Sequence, residues 1–389
     1  MFNQAEVSTI YPEGVEHSRR VYLGGRYTRV ALGALAVWLP LGALAQPTQS
    51  EQLIIAGHWK QARALVQMRI LDAPNDPLAN YLLSQIRNAF GDHVTPQALA
   101  EKAVALDGNT AKYHRQYAEV LGVMAQHANM LQQLLLARRF RKEIDTALVL
   151  DPRDTQALRD LIEFYLLAPS VAGGDQRKAA ETTGRIAQID VAEGFLAKAR
   201  IAEFHKQPAA AEAALRQAAA AQPPSYRALI ALAQFYLSSE HLNQAAAEAV
   251  ARQALLLDRG RVDAYSVLAE VWVDRSDWSA LDSTLQEAAK EIPDDLVPQY
   301  RAAERLLAAH HDPARAERYL RTYLGQEAEG NEPGLAAAHW KLGQALHAEG
   351  RDPAAIEEWQ QSLRLDPESP ASRDLKSLRS SRPAAAGSY

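Results

Sequence analysis

The chain has no cysteine among its 389 residues. This absence excludes disulfides, a thiol nucleophile and every zinc site that depends on thiolate ligands. It also excludes a lipid anchor that requires a cysteine directly after a signal cleavage point. Because no covalent link can hold the fold together, its stability has to come from packing.

Aromatic residues are also scarce, and the net charge is small because acidic and basic residues nearly balance. Aromatic residues make up 7% of the chain, and the formal net charge is -5 at pH 7. A nucleic-acid-binding protein usually shows a basic patch or a basic run, and this sequence has no long basic run. We therefore expect no nucleic-acid partner.

An apolar run near the start, Val30 to Ala45, is too short to span a bilayer comfortably, and Pro40 interrupts it. It ends in Ala43-Leu44-Ala45, which fits the small-x-small pattern of a cleavage site. Four basic residues precede it: Arg19, Arg20, Arg26 and Arg29. We interpret residues 1–45 as a secretory signal that leaves the mature protein periplasmic or secreted. The alternative is an uncleaved segment that anchors the protein to the membrane.

The export route has a second possible signal. The stretch Ser18-Arg19-Arg20-Val21-Tyr22-Leu23 resembles a twin-arginine export motif. Arg26 and Arg29 lie between this stretch and the apolar run, which favours the general secretory route instead. Any contact with a membrane is then expected through partners or through an uncleaved leader.

Catalytic motifs are missing as well. The sequence has no His-Glu-x-x-His, no Gly-x-Ser-x-Gly and no phosphate-binding Gly-Lys-Ser/Thr. His310 and His311 are adjacent, and neighbouring residues on a helix point in different directions, so they cannot share a metal ion. We predict a protein that is not an enzyme, with no catalytic residue, no metal site and no cofactor.

What the sequence does contain is a repeated helix pair, best formed between Ala338 and Pro367. Gly350 is placed to end a first helix, and Pro353 suits the start of a second one. The first helix has one apolar face, formed by Leu342, Ala345 and Leu346. Looser copies recur at steps of about 34 residues, as expected for stacked helix pairs. Their second helices end in similar dipeptides, an aliphatic residue followed by aspartate: Leu71-Asp72, Leu106-Asp107, Leu150-Asp151, Ile189-Asp190 and Leu257-Asp258.

This pattern resembles the tetratricopeptide repeat (TPR). The closest match is carried by Leu342, Gly343, Gly350, Ala355 and Pro367, and weaker copies extend the resemblance over roughly residues 46–370. It implies an all-α fold, a right-handed α-solenoid of about nine stacked antiparallel helix pairs. Residues 371–389 are expected to form a largely disordered tail.

In this family the first helices line a concave face that binds extended peptides or partner helices. The resemblance thus implies a protein-interaction scaffold that binds a protein or peptide, which with the leader points to the bacterial cell envelope. Trp340 is the candidate anchor, since exposed tryptophan often dominates binding energy, and the alternative is that it packs against the preceding helix pair. The partner-binding candidates are Arg115, Glu119, Arg159, Glu163, Arg227, Gln234, Asp263, Glu270, Trp340, Gln344 and His347.

An unusual loop, Ala168 to Asp175, offers an alternative function. Asp175 is expected to cap the following helix, although Gly173-Gly174 could instead form a nest that binds an anion. The loop is similar to one in periplasmic T-component proteins associated with TRAP transporters. That likeness suggests a carrier or accessory subunit that binds a small molecule or lipid near the loop. Those proteins are typically lipoproteins, and the missing cysteine departs from that pattern.

The last helix pair has no repeat after it, so residues 368–380 are expected to cover its outer helix. Trp359 tests this expectation. If Trp359 is buried, the C-terminal end is capped; if it is widely exposed, that end is a docking face.

Overall fold

The structure is a computed structural model that describes residues 47–92, 94–126, 128–238, 241–330 and 333–381. The predicted leader, residues 1–45, and residues 382–389 of the predicted tail lie outside the described residues. The described ranges contain nineteen α-helices and no strand, which confirms the predicted all-α solenoid of stacked helix pairs.

Eighteen of these helices form nine pairs in chain order. The first helices are α1 (Gln49–Ala56), α3 (Pro77–Ala89), α5 (Ala111–Gln126), α7 (Thr155–Leu167), α9 (Val191–Phe204), α11 (Tyr226–Leu237), α13 (Asp263–Asp274), α15 (Val297–Ala308) and α17 (Leu335–Ala348). The second helices are α2 (Trp59–Asp72), α4 (Thr95–Leu106), α6 (Met130–Leu150), α8 (Gln176–Ile189), α10 (Pro208–Ala219), α12 (Gln244–Leu257), α14 (Trp278–Glu291), α16 (Pro313–Leu324) and α18 (Asp352–Leu365).

Short polar caps set where the helices begin. The Asp76 side chain accepts hydrogen bonds from the amides of Leu78 and Ala79, and Pro77 occupies the first helical position of α3. Asp154 caps α7 in the same way. A side-chain oxygen at this position satisfies backbone amides that have no partner inside the helix. These two caps explain why α3 and α7 begin where they do.

The stack is curved, and the contacts between helices show in which direction. Successive first helices pack against one another from α1 to α5 and from α7 to α17, whereas successive second helices share no comparable packing within the described ranges. The first helices are therefore crowded onto the inner side of the curve. We call the surface that they form the first-helix face.

The hydrophobic core follows the stack but is divided along it. One cluster of buried residues runs from α4 to Ala197 of α9, and a larger one begins at Leu196 of the same helix and continues to the C-terminal end. In the fifth pair most of the buried side chains are alanines. Because each buried alanine contributes little apolar area, this pair is a thin part of the core.

A nineteenth helix, α19 (Ala371–Ser381), covers the last pair. Its buried side chains are Ala371, Leu375 and Leu378, whose spacing forms one apolar stripe. The expectation that residues 368–380 cover the last pair is confirmed, and the assignment of residues 371–381 to a largely disordered tail is wrong, because the stripe is buried. Trp359 is 2% exposed, so the C-terminal end is capped.

The first pair contacts a loop far away in the sequence. The ammonium group of Lys60 lies 3.2 Å from Glu329, and its backbone amide donates to the same carboxylate at 2.7 Å. Arg63 donates to both oxygens of Glu327, at 2.8 and 2.6 Å. Glu327 and Glu329 belong to the link between α16 and α17. In the structure this link closes one turn of the solenoid against α2.

None of the helices among the described residues is both long enough and apolar enough to cross a membrane.

Candidate binding face

The candidates named from the sequence all lie on first helices. Arg115 and Glu119 are on α5, Arg159 and Glu163 are on α7, and the others lie on α11, α13 and α17. The first-helix face brings together Arg115, Glu119, Arg159, Glu163 and Arg227, along with neighbours that the sequence did not single out.

The centre of this face is a ladder of ion pairs between helices. Arg159 of α7 donates to Glu193 of α9 at 2.7 Å, and Arg227 of α11 binds the same carboxylate from the other side. Arg200 of α9 donates to both oxygens of Glu163, at 2.7 and 2.8 Å. Burial opposes the charge of Glu193, but the two guanidiniums outweigh it and hold the pKa of Glu193 below its usual value. The ladder therefore fixes the relative positions of α7, α9 and α11.

A cleft of about 350 Å³ lies along this ladder. Its apolar lining is formed by Ile162, Leu196, Ala197, Ala199, Leu215 and Ala231. Its charged lining is formed by Arg159, Asp160, Glu163, Arg200, Glu203 and Arg227. Small apolar groups between charged side chains leave room for a ligand that has both apolar and polar parts. We call it the central cleft.

A second cleft, of about 490 Å³, lies closer to the N-terminus. It is lined by aromatic, amide and charged groups, among them Trp59, Tyr81, Gln85, Asn88, Arg115 and Glu119. Arg115 is 5% exposed, and its Nε lies 3.3 Å from a carboxylate oxygen of Asp154. Its Nη1 lies 3.9 Å from Glu119, and neither nitrogen makes a hydrogen bond to a described residue. We call it the N-terminal cleft.

Several carboxyl groups of the face hold their protons unusually strongly. Burial raises the pKa of Asp160 to about 7, with repulsion from Glu119 adding to the shift and Arg115 opposing it. Burial likewise raises the pKa of Glu270 to about 7 against the attraction of Arg305. Burial also raises the pKa of Glu119 and of Glu203. These groups sit on α5, α7, α9 and α13, so the pattern runs along the face.

The candidates on α17 are largely engaged within the chain. The Trp340 indole donates to Asp374 of α19 at 2.7 Å, and the amide of Gln344 donates to the same carboxylate at 3.1 Å. The exposed ring of His347 lies 2.7 Å from Asp352. The structure therefore places Trp340 under the C-terminal helix rather than free on the face.

The remaining two candidates lie apart from the clefts. Gln234 is exposed near the end of α11. Asp263 begins α13 and lies 3.7 Å from Arg261 in the preceding turn.

Sequence reasoning missed Glu193, Arg200 and Asp160. A usable signal was present, because Glu193 lies 34 residues from Arg159 and also 34 residues from Arg227. In a stacked array, positions one repeat apart face each other across neighbouring units. Opposite charges one period apart therefore predict ion pairs between repeats.

The loop with Gly173-Gly174 is explained by packing. A Cβ atom at Gly174 would stand 1.8 Å from the carbonyl oxygen of Ala168, so glycine is needed there. Asp175 accepts from the amides of Arg177 and Lys178 at 3.0 and 3.2 Å, which confirms the predicted helix cap. The chain's own carboxylate thus occupies the amides that an anion would use.

No group of three or more potential metal ligands occurs in the part of the chain that the structure describes.

Comparisons with protein-family models and with curated proteins gave no match. Among solved structures, human IFIT1 is similar with 13% identity and a TM-score of 0.43, covering 86% of this chain and 88% of that one. Yeast Tom70 has 12% identity and a TM-score of 0.45, with 85% and 87% covered. A tetratricopeptide repeat protein from Parabacteroides merdae has 14% identity and a TM-score of 0.41, with 67% and 98% covered.

Proposed function

We propose that this chain is a non-catalytic scaffold of the bacterial cell envelope that binds a segment of a protein partner on the first-helix face. The observation that carries the proposal is the central cleft, which offers small apolar groups between rows of charged side chains. A polypeptide segment has apolar side chains, a polar backbone and charged groups, and such a lining can contact all three.

The ladder of ion pairs supports this proposal. It holds α7, α9 and α11 in fixed positions before a ligand arrives, so little ordering is required on binding. A preformed groove on rigid helices is the arrangement in which a partner helix or an extended segment binds with the lowest entropic cost.

The carrier alternative receives less support. It placed a ligand near Gly173-Gly174, where the loop is packed against its own helices and Asp175 occupies the free amides. Both clefts of the first-helix face are lined by charged groups, which suits a polypeptide better than a lipid.

A photo-crosslinking experiment in cells tests the proposal. A photoreactive amino acid replaces Ala231, which lines the central cleft, and in a second strain it replaces Leu256 on the outer side of α12. Leu256 is 87% exposed and serves as the matched control. We expect a discrete crosslinked protein from position 231 and none from position 256. Equal labelling from both positions, or none from 231, would contradict the proposal.

Fractionation of the same cells tests the location. We expect the tagged mature protein in the periplasmic fraction, with an N-terminus near Gln46 by mass spectrometry. Recovery of the unprocessed chain in the cytoplasm would overturn the cell-envelope part of the proposal and leave the binding part standing.

A further inference from the structure

Helix α6 is longer than the other second helices, and its first two turns are left uncovered. It has 21 residues, whereas the others have 12 to 14. Met130, Leu131 and Leu135 lie in these turns and are 86%, 70% and 53% exposed. A single exposed apolar side chain needs no explanation, but three so close together form a patch of the kind that marks an interaction surface.

The loop after α7 adds exposed apolar groups beside this patch. Helices α6 and α7 are joined by a short turn and pack against each other in opposite directions, so the end of α7 lies beside the first half of α6. Leu167 at that end and Val171 in the turn that follows are both exposed. The turn Ser170–Ala172 also packs against α6. The exposed apolar side chains of the two segments therefore lie at one edge of the stack.

One side of α6 continues from this apolar end as a basic stripe. Leu131, Leu135, Arg138 and Lys142 follow one another at steps of four, three and four residues, which places them on the same side of a helix. Arg138 and Lys142 are exposed, and neither has a carboxylate within ion-pair distance among the described residues, whereas the other two cations of α6 are paired. Unpaired cations thus border the apolar end of the helix.

Helix α8 adds to the positive charge. The ammonium group of Lys178 lies 5.9 Å from the centre of the Tyr165 ring, and the guanidinium of Arg141 lies 5.1 Å from the same centre. The two helices therefore present cations side by side across this ring. Helix α6 has four basic and two acidic residues and α8 has three and one, whereas the chain as a whole has a net charge of -5. An acidic protein thus has a basic outer surface here.

The carboxylates near this surface do not cancel its charge. Both oxygens of Asp145 accept from Nε of Arg141 at 2.9 Å. On α8, Glu181 lies 3.8 Å from Arg177. These acids are therefore taken up by cations of their own helices, and three further cations remain without such a partner within the described ranges. They are Arg138, Lys142 and Lys178. We call these three cations, with Met130, Leu131, Leu135, Leu167 and Val171, the α6 surface.

We propose that the α6 surface docks the protein directly on a bilayer that contains anionic lipids. The exposed apolar side chains enter the headgroup region, and the three cations lie against the lipid phosphates. This contact differs from the sequence expectation, in which a membrane is reached only through partners or an uncleaved leader. It is also independent of the segment proposed for the first-helix face, because second helices and a loop form the α6 surface.

The arrangement of the side chains favours a bilayer over a folded acidic partner. The apolar groups stand on the exposed end of a helix and on a loop, and none of them lines the central or the N-terminal cleft. A protein partner would need a shape complementary to this projecting edge. A bilayer needs none, because apolar side chains insert singly while nearby lysine and arginine keep their charged groups at the level of the headgroups.

Vesicle flotation with the chain from Gln46 onward tests the docking. Residues 47–381 include every described helix of the array, so this chain keeps the α6 surface and lacks the apolar run of the leader. We expect it to float with vesicles of phosphatidylglycerol and phosphatidylcholine in about equal parts, at least about tenfold more tightly than with phosphatidylcholine alone. Most of this binding should be lost in about 0.5 M salt. Equal binding to both vesicles, or binding to neither, would overturn the inference, even if the surface then captured an acidic protein.

The absence of cysteine allows a probe to be placed at one chosen position. Leu131→Cys carries an environment-sensitive dye, and Leu256→Cys, exposed on the outer side of α12, is the control. With the anionic vesicles, emission from position 131 should shift to shorter wavelength and rise at least about twofold, while emission from position 256 stays unchanged. No change at position 131 in protein that floats, or an equal change at both positions, would show that another surface binds the lipid and would contradict the inference.

Two exposed leucines test the apolar part of the surface. Leu131→Glu with Leu135→Glu should weaken binding to the anionic vesicles by about tenfold, because carboxylates neither insert nor approach lipid phosphates. Leu71→Glu with Leu256→Glu makes the same change in net charge at exposed leucines of α2 and α12 and should lose less than about twofold.

Two cations test the electrostatic part. Arg138→Glu with Lys142→Glu should also weaken binding by about tenfold or more. Lys290→Glu with Arg318→Glu, at exposed positions of α14 and α16, is the matched control and should lose less than about twofold. Equal losses in this control and in the Arg138 and Lys142 variant, with circular dichroism showing a native fold in both, would mean that net charge alone governs binding and would sink the inference.

Discussion

At the scale of single residues, Gly343 shows how closely the best-formed pair is packed. A Cβ atom at Gly343 would lie 2.4 Å from the indole ring of Trp359, which is buried and donates a hydrogen bond to the carbonyl of Trp340 at 3.1 Å. The absence of a side chain at Gly343 therefore allows α18 to approach α17 closely. The glycine belongs to the repeat pattern, and the structure gives its physical reason.

We expect Gly343→Ala to lower the free energy of unfolding by about 1–3 kcal/mol, since the ring has to move within a packed core. Chemical denaturation measures the change. Gly184→Ala is the matched control, because that helical glycine on α8 is exposed and has open space where the methyl would stand. The free energy of unfolding of the Gly184→Ala control should rise by about 0.5–1 kcal/mol, because alanine favours the helix more than glycine does. Equal effects of the two variants would contradict the packing argument.

Glu270 leads to a prediction about pH. Its pKa is about 7 in the folded protein, against 4.5 for the ordinary group, so between these values the folded protein keeps a proton that the unfolded chain has released. The contribution of Glu270 to stability is therefore complete below pH 4.5 and is lost as pH rises to about 7.

Glu270→Gln should remove that loss. Because the site is open to water on one side, we expect roughly 1–2 kcal/mol of relative stabilisation at pH 8 and little change at pH 4.5. Urea denaturation across this pH range measures it, with Glu181→Gln on the exposed face of α8 as the control. If the difference in unfolding free energy between variant and parent does not change with pH, the raised pKa of Glu270 is refuted.

At the scale of elements, α19 decides how the array ends. Leu375 and Leu378 are buried against the last pair, and Asp374 accepts hydrogen bonds from Trp340 and Gln344. A terminal repeat without such cover would expose the apolar side that internal repeats bury against the next unit. The α19 helix therefore covers the apolar side of the last pair, as a following repeat would do.

Changing both leucines to aspartate should detach α19, because the charges cannot be buried against the last pair. Hydrogen exchange should then accelerate in α17 and α18 by about tenfold or more while α5 to α8 stay unchanged. Lys376→Asp with Arg379→Asp is the control, since both side chains are exposed on the same helix. Protection of α17 and α18 that survives in the leucine variant would show that the cap contributes nothing.

The sequence predicted the helix pairs but not all of their interactions. The period of about 34 residues and the cap at Asp175 are local signals, and the structure has the pairs and that cap where expected. Of the two expectations for residues 371–381, a cover over the last pair is confirmed and a largely disordered tail is wrong, because Leu375 and Leu378 gain their stability from burial against another element. Pairs such as Glu193 with Arg159 depend on the register between repeats, which a reading of one helix at a time does not include.

At the scale of the whole array, the contact between α2 and the link before α17 closes one turn. It depends on the sum of small rotations over eight pairs, so no local pattern could predict it. Lys60 and Arg63 supply the cations, and Glu327 and Glu329 supply the carboxylates. Gly330 allows the close approach, since a Cβ atom there would lie 3.1 Å from the carbonyl oxygen of Ala89.

This closure also bounds the N-terminal cleft, because Trp59 and Ala89 line that cleft and Gly330 lies against both.

We expect Lys60→Glu with Arg63→Glu to open the turn, because like charges then face each other. Small-angle scattering should show the radius of gyration increasing by about 2 Å. Adding Glu327→Lys and Glu329→Lys should restore the parent value by exchanging the charges. Arg177→Glu with Lys178→Glu on α8 makes the same change in net charge away from the contact and should leave the radius unaltered. An increase in this control, or none in the Lys60 and Arg63 variant, would mean that helix packing alone sets the curvature of the solenoid.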